Sequence, residues 1–495
     1  MKNFFNKNWQ LLLICLVSFV MFFPALTKFF THDDFYFLKI ANVDSFKGFL
    51  SFFNPIKDIE GIGVYRPLTL RVYYFLSVKL FHLSSLPLRL ISFAAFFAVI
   101  ILVWKFINLL IQNKKMALFA TFLYAVSVTH FGQLYYIGAF QELFLTMLFL
   151  GSIIFFVKYE MGNGKKLKIK SLIASFICFI LAIMSKETAV VIPFMIVLTH
   201  LYLKLSKRTK ASSKTLFFST IPYFVVLGIY LVFHFGYFGT ISGDSYVWDF
   251  SISRSVNTLG WYSLWSINLP EMLNDFVGPG IRLNPNLLKY WSKEIISIFT
   301  VFTLQLVIVL VSVFNIVRKE GKANKDKWLV TAFSAIWFVA TISPVLFLPV
   351  HKFTYYLTLP LVGVVFFLSH LLISQKSKVY VLFGIFWIVT SILSLRLTIK
   401  TNWITQGVNV SERVYKYFNI NKSDFDSKEI VFVDTSNDSS LPWSPTATLK
   451  TVLSNKNFFE VFYPNIFKKV EYVGLGKIQK DDKTVVVNSR QFLGY

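Results

Sequence analysis

The sequence predicts an all-α polytopic membrane protein with about eleven transmembrane helices, and three observations predict it. Of 495 residues, 55% are hydrophobic and 57 are Phe, more apolar surface than a soluble fold of this size accommodates. Several apolar runs are as long as a hydrocarbon core is thick. The basic residues, which give a net charge of +25, fall in short clusters between those runs. That is membrane topology rather than a nucleic-acid surface, so no nucleic-acid partner is expected.

The first run, "WQLLLICLVSFVMFFPAL", is long, lacks a small-residue cleavage site and leads into an aromatic segment. It reads as a retained first helix rather than a cleaved signal. The expected spans are 9–30, 86–111, 116–134, 137–157, 171–185, 187–204, 215–235, 296–317, 328–348, 354–374 and 379–399. Lys2 and Lys7, then 112–115, 158–170, 204–214, 318–327 and 374–378, are strongly basic and are assigned to the cytoplasm, as is the N-terminus. The alternate connections, 31–85, 135–136, 185–187, 236–295, 349–353 and the tail from 400, are then assigned to the outer face.

Two further elements follow. The stretch 66–82 carries Arg71 and Lys79 and reads as an amphipathic helix in the outer interface. The tail, 400–495, is more polar, with β-like runs at 429–435 and 483–489. It reads as a small soluble α/β domain on the outer side of a transmembrane domain at 1–399. Cys15 and Cys178 lie inside apolar runs and read as core residues, and no Cys/His spacing suggests a zinc site.

The residues that carry chemistry sit at the outer span ends. "KFFTHDDFYFLKIAN" (28–42) sets Asp33 and Asp34 side by side where the chain leaves the membrane. One such acid is ordinarily a solvated loop residue. Two beside His32 and aromatics suit a general base, and their mutual repulsion raises the pKa of one. Arg66, before Pro67, has the residue type for a bidentate phosphate contact or for an interfacial anchor. Arg71 and Lys79 read as anchors. Glu142 sits just inside a span, where an acid is costly unless paired or facing a cavity. Lys186 and Glu187 either pair with each other or form a phosphate-binding Lys with its orienting acid. His351 and Lys352 precede Tyr355 and Tyr356, a composition shared by the aromatic belt and by a lipid-phosphate contact.

On these residues the chain resembles the GT-C fold integral-membrane glycosyltransferases that use a lipid-phosphate sugar, and among them the protein O-mannosyltransferases. The likeness is carried by "HDDFYFLKIANVDS" (32–45), "YRPLTLRVYYF" (65–75), "GAFQELF" (138–144), "SKETAVVIP" (185–193) and "HKFTYYLTLPLVG" (351–363), within roughly residues 10–375. The resemblance implies an inverting transfer from a polyprenyl-phosphate-linked sugar to an acceptor glycan, lipid or protein. Asp33 matches the catalytic base, with Asp34 beside it. Arg66, Lys186 and His351 or Lys352 would hold the donor phosphate. Glu142, with Glu187, would orient the acceptor or a metal. The tetratricopeptide-bearing branch usually has Arg near Glu142, where this chain has Phe140 and Gln141, and Glu-Arg where this chain has His351 and Lys352. Mannose and a protein acceptor are therefore not fixed by the likeness. A divalent metal, Mg or Mn, is left open, since no spacing demands one. The competing reading is a membrane transporter or lipid flippase, which predicts ionisable residues deep in the spans and related halves. Few such charges and no such halves are found. A non-catalytic scaffold presenting the tail is a third reading.

Overall fold

The computed structural model describes residues 9–494 apart from 57–62, 241, 242, 244, 279, 281, 321–324, 442, 465 and 477–482. The basic positions Lys2 and Lys7 and the middle of the 318–327 cluster lie outside the described residues. Among the described residues, 8 helices are long and apolar enough to cross a membrane: Trp9–Thr27, Ser85–Ile111, Ile137–Met161, Glu187–Leu205, Ser213–Phe238, Asn286–Arg318, Trp328–Val345 and Ser377–Thr401. Lys114–Ala125 and Val128–Tyr135, bent by 51°, make up to 9 if they form one broken span. Eleven is therefore not reached by length and composition. The expected span 171–185 is the second half of a helix, Lys165–Ile183, that opens on the basic sequence "KKLKIK". The expected span 354–374 is a 3₁₀ turn, Thr354–Leu357, followed by a helix of only 13 residues, Leu361–Ile373.

Ile137–Met161 is the most enclosed span. It packs against Ser85–Ile111, Lys165–Ile183 and Ile192–Leu205. Small hydroxyl residues let the backbones approach: Ser152 Oγ donates to Ser175 O at 3.0 Å, Ser175 Oγ to Ser152 O at 2.7 Å, and Tyr223 Oη to Ser175 Oγ at 2.7 Å. The break after Ala125 frees carbonyls at membrane depth, which is tolerated only when protein donors take them. Trp387 Nε1 donates to Leu123 O at 2.9 Å and Ser391 Oγ to Val126 O at 2.5 Å.

The segment read as an interfacial helix forms instead a π-helical turn, Pro67–Val72, running into a short helix, Tyr73–Leu80. It packs into the protein. Thr69 Oγ1 donates to Ser185 O at 2.6 Å, and the Tyr73 ring stacks on Phe140 at 3.8 Å. Lys79 pairs with Asp44 at 2.6 Å, and the Arg71 guanidinium lies 5.9 Å from the centre of the Phe52 ring.

In the tail, strands Lys469–Gly474, Glu429–Val433 and Thr484–Asn488 lie side by side in that order as a parallel sheet. Helices Trp403–Ile420, Pro445–Val452 and Asn457–Phe462 cover it. Its apolar residues Phe418, Phe432 and Phe458 join the same core cluster as Phe22, Phe30 and Phe35 from the start of the chain. The tail is thus packed directly onto the segment that leaves the first span.

Candidate active site

Past Thr27 the chain turns at His32, whose φ of +52° is strained for a residue with a side chain. The strain is held from two sides. From the tail, His32 N donates to Val452 O at 2.8 Å and Ser411 Oγ to Phe30 O at 2.6 Å. Gly407 comes so close that a Cβ there would stand 2.3 Å from His32 Cε1. From the bundle, Arg89 donates to Lys28 O at 2.6 Å, Phe29 O at 2.9 Å and Leu134 O at 2.9 Å.

The turn opens the helix Asp33–Ile40 on both acids. Adjacent helical residues are turned about 100° from each other, so the pair divides. Asp34 is fully buried, accepting from Thr31 N at 3.0 Å and from Tyr74 Oη at 2.6 Å. Burial pushes its carboxyl up to about 7, with the Asp33 charge a lesser contribution. Asp33 is exposed and accepts from Tyr136 Oη at 3.2 Å. Asp34 therefore holds the turn, and Asp33 is the acid that a substrate can reach. Asp34→Asn is expected to keep the fold, because an amide can accept from Thr31 and donate to Tyr74. Asp34→Ala leaves two buried groups without partners and is expected to lose about 1–3 kcal/mol in thermal unfolding.

Two of the quoted sequence stretches meet. Leu68 N, within "YRPLT", donates to Met184 O at 3.3 Å, beside "SKE". Their charges pair crosswise. Arg66 grips Glu187 with Nε, at 2.7 Å, and with Nη2, while Nη1 donates to Gln141 Oε1 at 2.6 Å. Lys186 pairs with Glu142, not with its neighbour Glu187, and its ammonium lies 4.6 Å from the centre of the Tyr356 ring. Lys186 and Glu142 are almost completely enclosed, with side chains 2% and 6% exposed. Four charges thus form a neutral cluster.

His351 sits next to this cluster. Its Nδ1 is 2.6 Å from Ser245 Oγ and its ring stacks on Tyr246 at 4.0 Å. Burial first, then the charges of Lys186 and Arg66, push its imidazolium down to about 4. His351 is therefore neutral at pH 7 and offers a phosphate a hydrogen bond rather than a charge. The unfolded chain holds the His351 proton below about 6.5 and the fold only below about 4. Stability from this group is full above the higher value and lost as pH falls toward the lower one. His351→Asn is expected to flatten the fall in melting temperature between pH 7 and about pH 4.5. Lys352 lies apart from the cluster: burial and then Arg254 push its ammonium down, while Asp275 supports it.

Sequence reasoning missed four residues. Tyr136 orients Asp33, and Gln141 completes the Arg66 contacts. Trp403 lies edge-on to His32 at 4.9 Å. Glu271 accepts from Thr354 N at 2.7 Å, Thr354 Oγ1 at 2.6 Å and Asn402 Nδ2 at 3.2 Å, tying three separate segments together. Only the lone acid after Pro270 in a weakly charged loop signalled any of them. As for a metal, no group of three His, Cys, Asp or Glu comes together among the described residues. Glu142 and Glu187 already face cations, and Asp34 faces a hydroxyl.

With this geometry in view, residues 66–235 match the family model described as dolichyl-phosphate-mannose-protein mannosyltransferase. The chain resembles that family. The matched stretch holds Arg66, Glu142, Lys186 and Glu187, and so the whole crossed charge cluster. No curated protein matches the chain. Two similar solved structures are crystal structures of the Archaeoglobus fulgidus oligosaccharyltransferase. One is a complex with Zn and sulfate, at 10% identity and a TM-score of 0.46, covering 94% of this chain and 62% of that one. The other is tethered to an acceptor peptide containing the NVT sequon, at 10% identity and a TM-score of 0.45, covering 95% and 64%. The chain spans less than two thirds of the length of these structures.

Proposed function

We propose that the protein is an inverting glycosyltransferase that moves a sugar from a polyprenyl-phosphate donor to an acceptor hydroxyl on the outer face of the membrane. The observation that carries this reading is an exposed carboxylate, Asp33, oriented by Tyr136, in a protein that also holds two cations pre-placed by acids in a buried cluster. Asp33 takes the acceptor proton as the acceptor oxygen attacks the sugar C1. The bond from C1 to the phosphate oxygen breaks, and its electron pair leaves on polyprenyl phosphate.

A leaving phosphate needs donors already in place where charge develops. Arg66 uses three of its N–H groups on Glu187 and Gln141, leaving two of the five that a guanidinium carries. Lys186 has donors beyond the one that meets Glu142. The acids keep both cations placed before a phosphate arrives. A cavity of about 520 Å³ among the helices near Gln305, Ser334, Phe338 and Trp387 suits the apolar polyprenyl chain. Phe338 packs against the cluster of Tyr262 and Trp265, which also contacts Tyr356, the ring under Lys186.

The test offers purified protein in nanodiscs the polyprenyl-monophosphate forms of mannose, glucose, galactose and aminoarabinose. Release of polyprenyl phosphate and donor binding are read in the same samples. Binding with turnover is expected for at least one donor. If none of these lipids binds, the glycosyltransferase reading is overturned and a transporter or scaffold takes its place.

A further inference from the structure

Between the acid and the charge cluster runs a chain of aromatic rings that the chemistry above leaves unused. It starts at Tyr136, the partner of Asp33. Tyr136 meets Trp403 at 5.4 Å, and Trp403 meets Phe353 at 5.8 Å. Phe353 stacks on Tyr355 at 5.0 Å with planes 15° apart, and Tyr355 meets Tyr356 at 4.7 Å. Tyr356 is the ring that carries Lys186. The series therefore joins the two ends that an in-line displacement must separate, the base and the leaving group.

Two features of these rings suit a ligand. Trp403, Phe353, Tyr355 and Tyr356 each keep part of their surface exposed, whereas neighbouring core aromatics such as Phe30, Phe35 and Tyr74 are fully enclosed. Trp403 Nε1 is itself buried and has no hydrogen-bond partner among the described residues. A buried N–H without an acceptor costs free energy, and the cost is removed by a ligand that supplies one. A pyranose matches both features. Its C–H face lies flat on an aromatic ring, and its rim of hydroxyls reaches polar groups at the ring edges.

We propose that this aromatic shelf is the subsite for the donor's sugar ring, with Trp403 Nε1 donating to a sugar hydroxyl and Phe353 and Tyr355 receiving the C–H face. The proposal rests on the glycosyltransferase reading and deepens it. It also gives the tail a part in the site, because Trp403 opens the helix Trp403–Ile420. The unpaired indole N–H makes Trp403 the contact that distinguishes a sugar from a bare lipid phosphate.

The experiment measures binding of two probes to the full-length protein in nanodiscs: the polyprenyl-phosphate sugars and sugar-free polyprenyl phosphate. Trp403→Leu is expected to weaken sugar-donor binding about tenfold, the worth of one aromatic contact, and to leave sugar-free lipid unchanged. Trp403→Phe should recover part of the loss, and Phe353→Leu should repeat the pattern should Trp403→Leu not fold. Equal weakening of both probes would make the rings a lipid or structural surface and overturn the subsite. An unchanged donor affinity would overturn it as well. Failure of the wild type to bind either probe would instead defeat the glycosyltransferase reading on which it rests.

Discussion

Asp33→Asn is expected to lower turnover by about 10²–10⁴-fold, the contribution of a positioned general base, while donor binding stays within about twofold of wild type. The split follows from where the side chain sits. Asp33 is exposed and accepts from Tyr136, while Arg66 and Lys186 are held by Glu187 and Glu142, so an amide of the same shape is expected to leave the fold and both cations in place. Single-turnover release of polyprenyl phosphate, read beside donor binding, checks it. Tyr136→Phe is the companion. It keeps the ring against Trp403 but removes the hydroxyl that orients the carboxylate, so it should lower turnover less than Asp33→Asn does. An Asp33→Asn protein with full turnover would remove Asp33 as the base, and Asp34, enclosed by Thr31 and Tyr74, could not take its place without opening the turn.

The largest stability effect is expected at Lys186. Lys186→Met leaves Glu142 as an uncompensated carboxylate in an enclosed place, which costs about 3–5 kcal/mol when a buried pair is broken from one side. Adding Glu142→Gln removes the orphaned charge, so the double variant should regain most of the lost melting temperature. The two substitutions are in contact and should be strongly non-additive. Donor affinity should behave otherwise. It falls in the single variant and stays low in the double one, because the cation over the Tyr356 ring is gone from both. Thermal unfolding and donor binding of the three proteins separate the two effects. Additive losses in stability would mean that the pair does not form in the membrane.

Part of the fold was legible because long hydrophobic runs report on the bilayer itself, a solvent common to every membrane protein. The spans at 86–111, 137–157 and 379–399 coincide with helices to within a few residues. Where the sequence misled, the cause was a partner far along the chain. A run of apolar residues at 116–134 reads as one straight helix, whereas it bends by 51° at a break where Trp387 and Ser391, far along the chain, take the freed carbonyls. The stretch 66–82 looks amphipathic by composition, but its Tyr73 and Thr69 find partners at Phe140 and Ser185.

The candidate site divides in the same way. The residue types and their end of the bundle came from the sequence alone: acids at 33, 34, 142 and 187, cations at 66 and 186, and a histidine at 351. What each faces was decided only in three dimensions. Asp33 and Asp34 are neighbours in the chain, yet one meets solvent and the other the core. Lys186 and Glu187 are neighbours too, and each pairs with a residue from a different element. The physical reason is shared: adjacent side chains point apart, so proximity in sequence is not proximity in space. Candidates could be named along one dimension, but partnership required the packing of helices from across the chain.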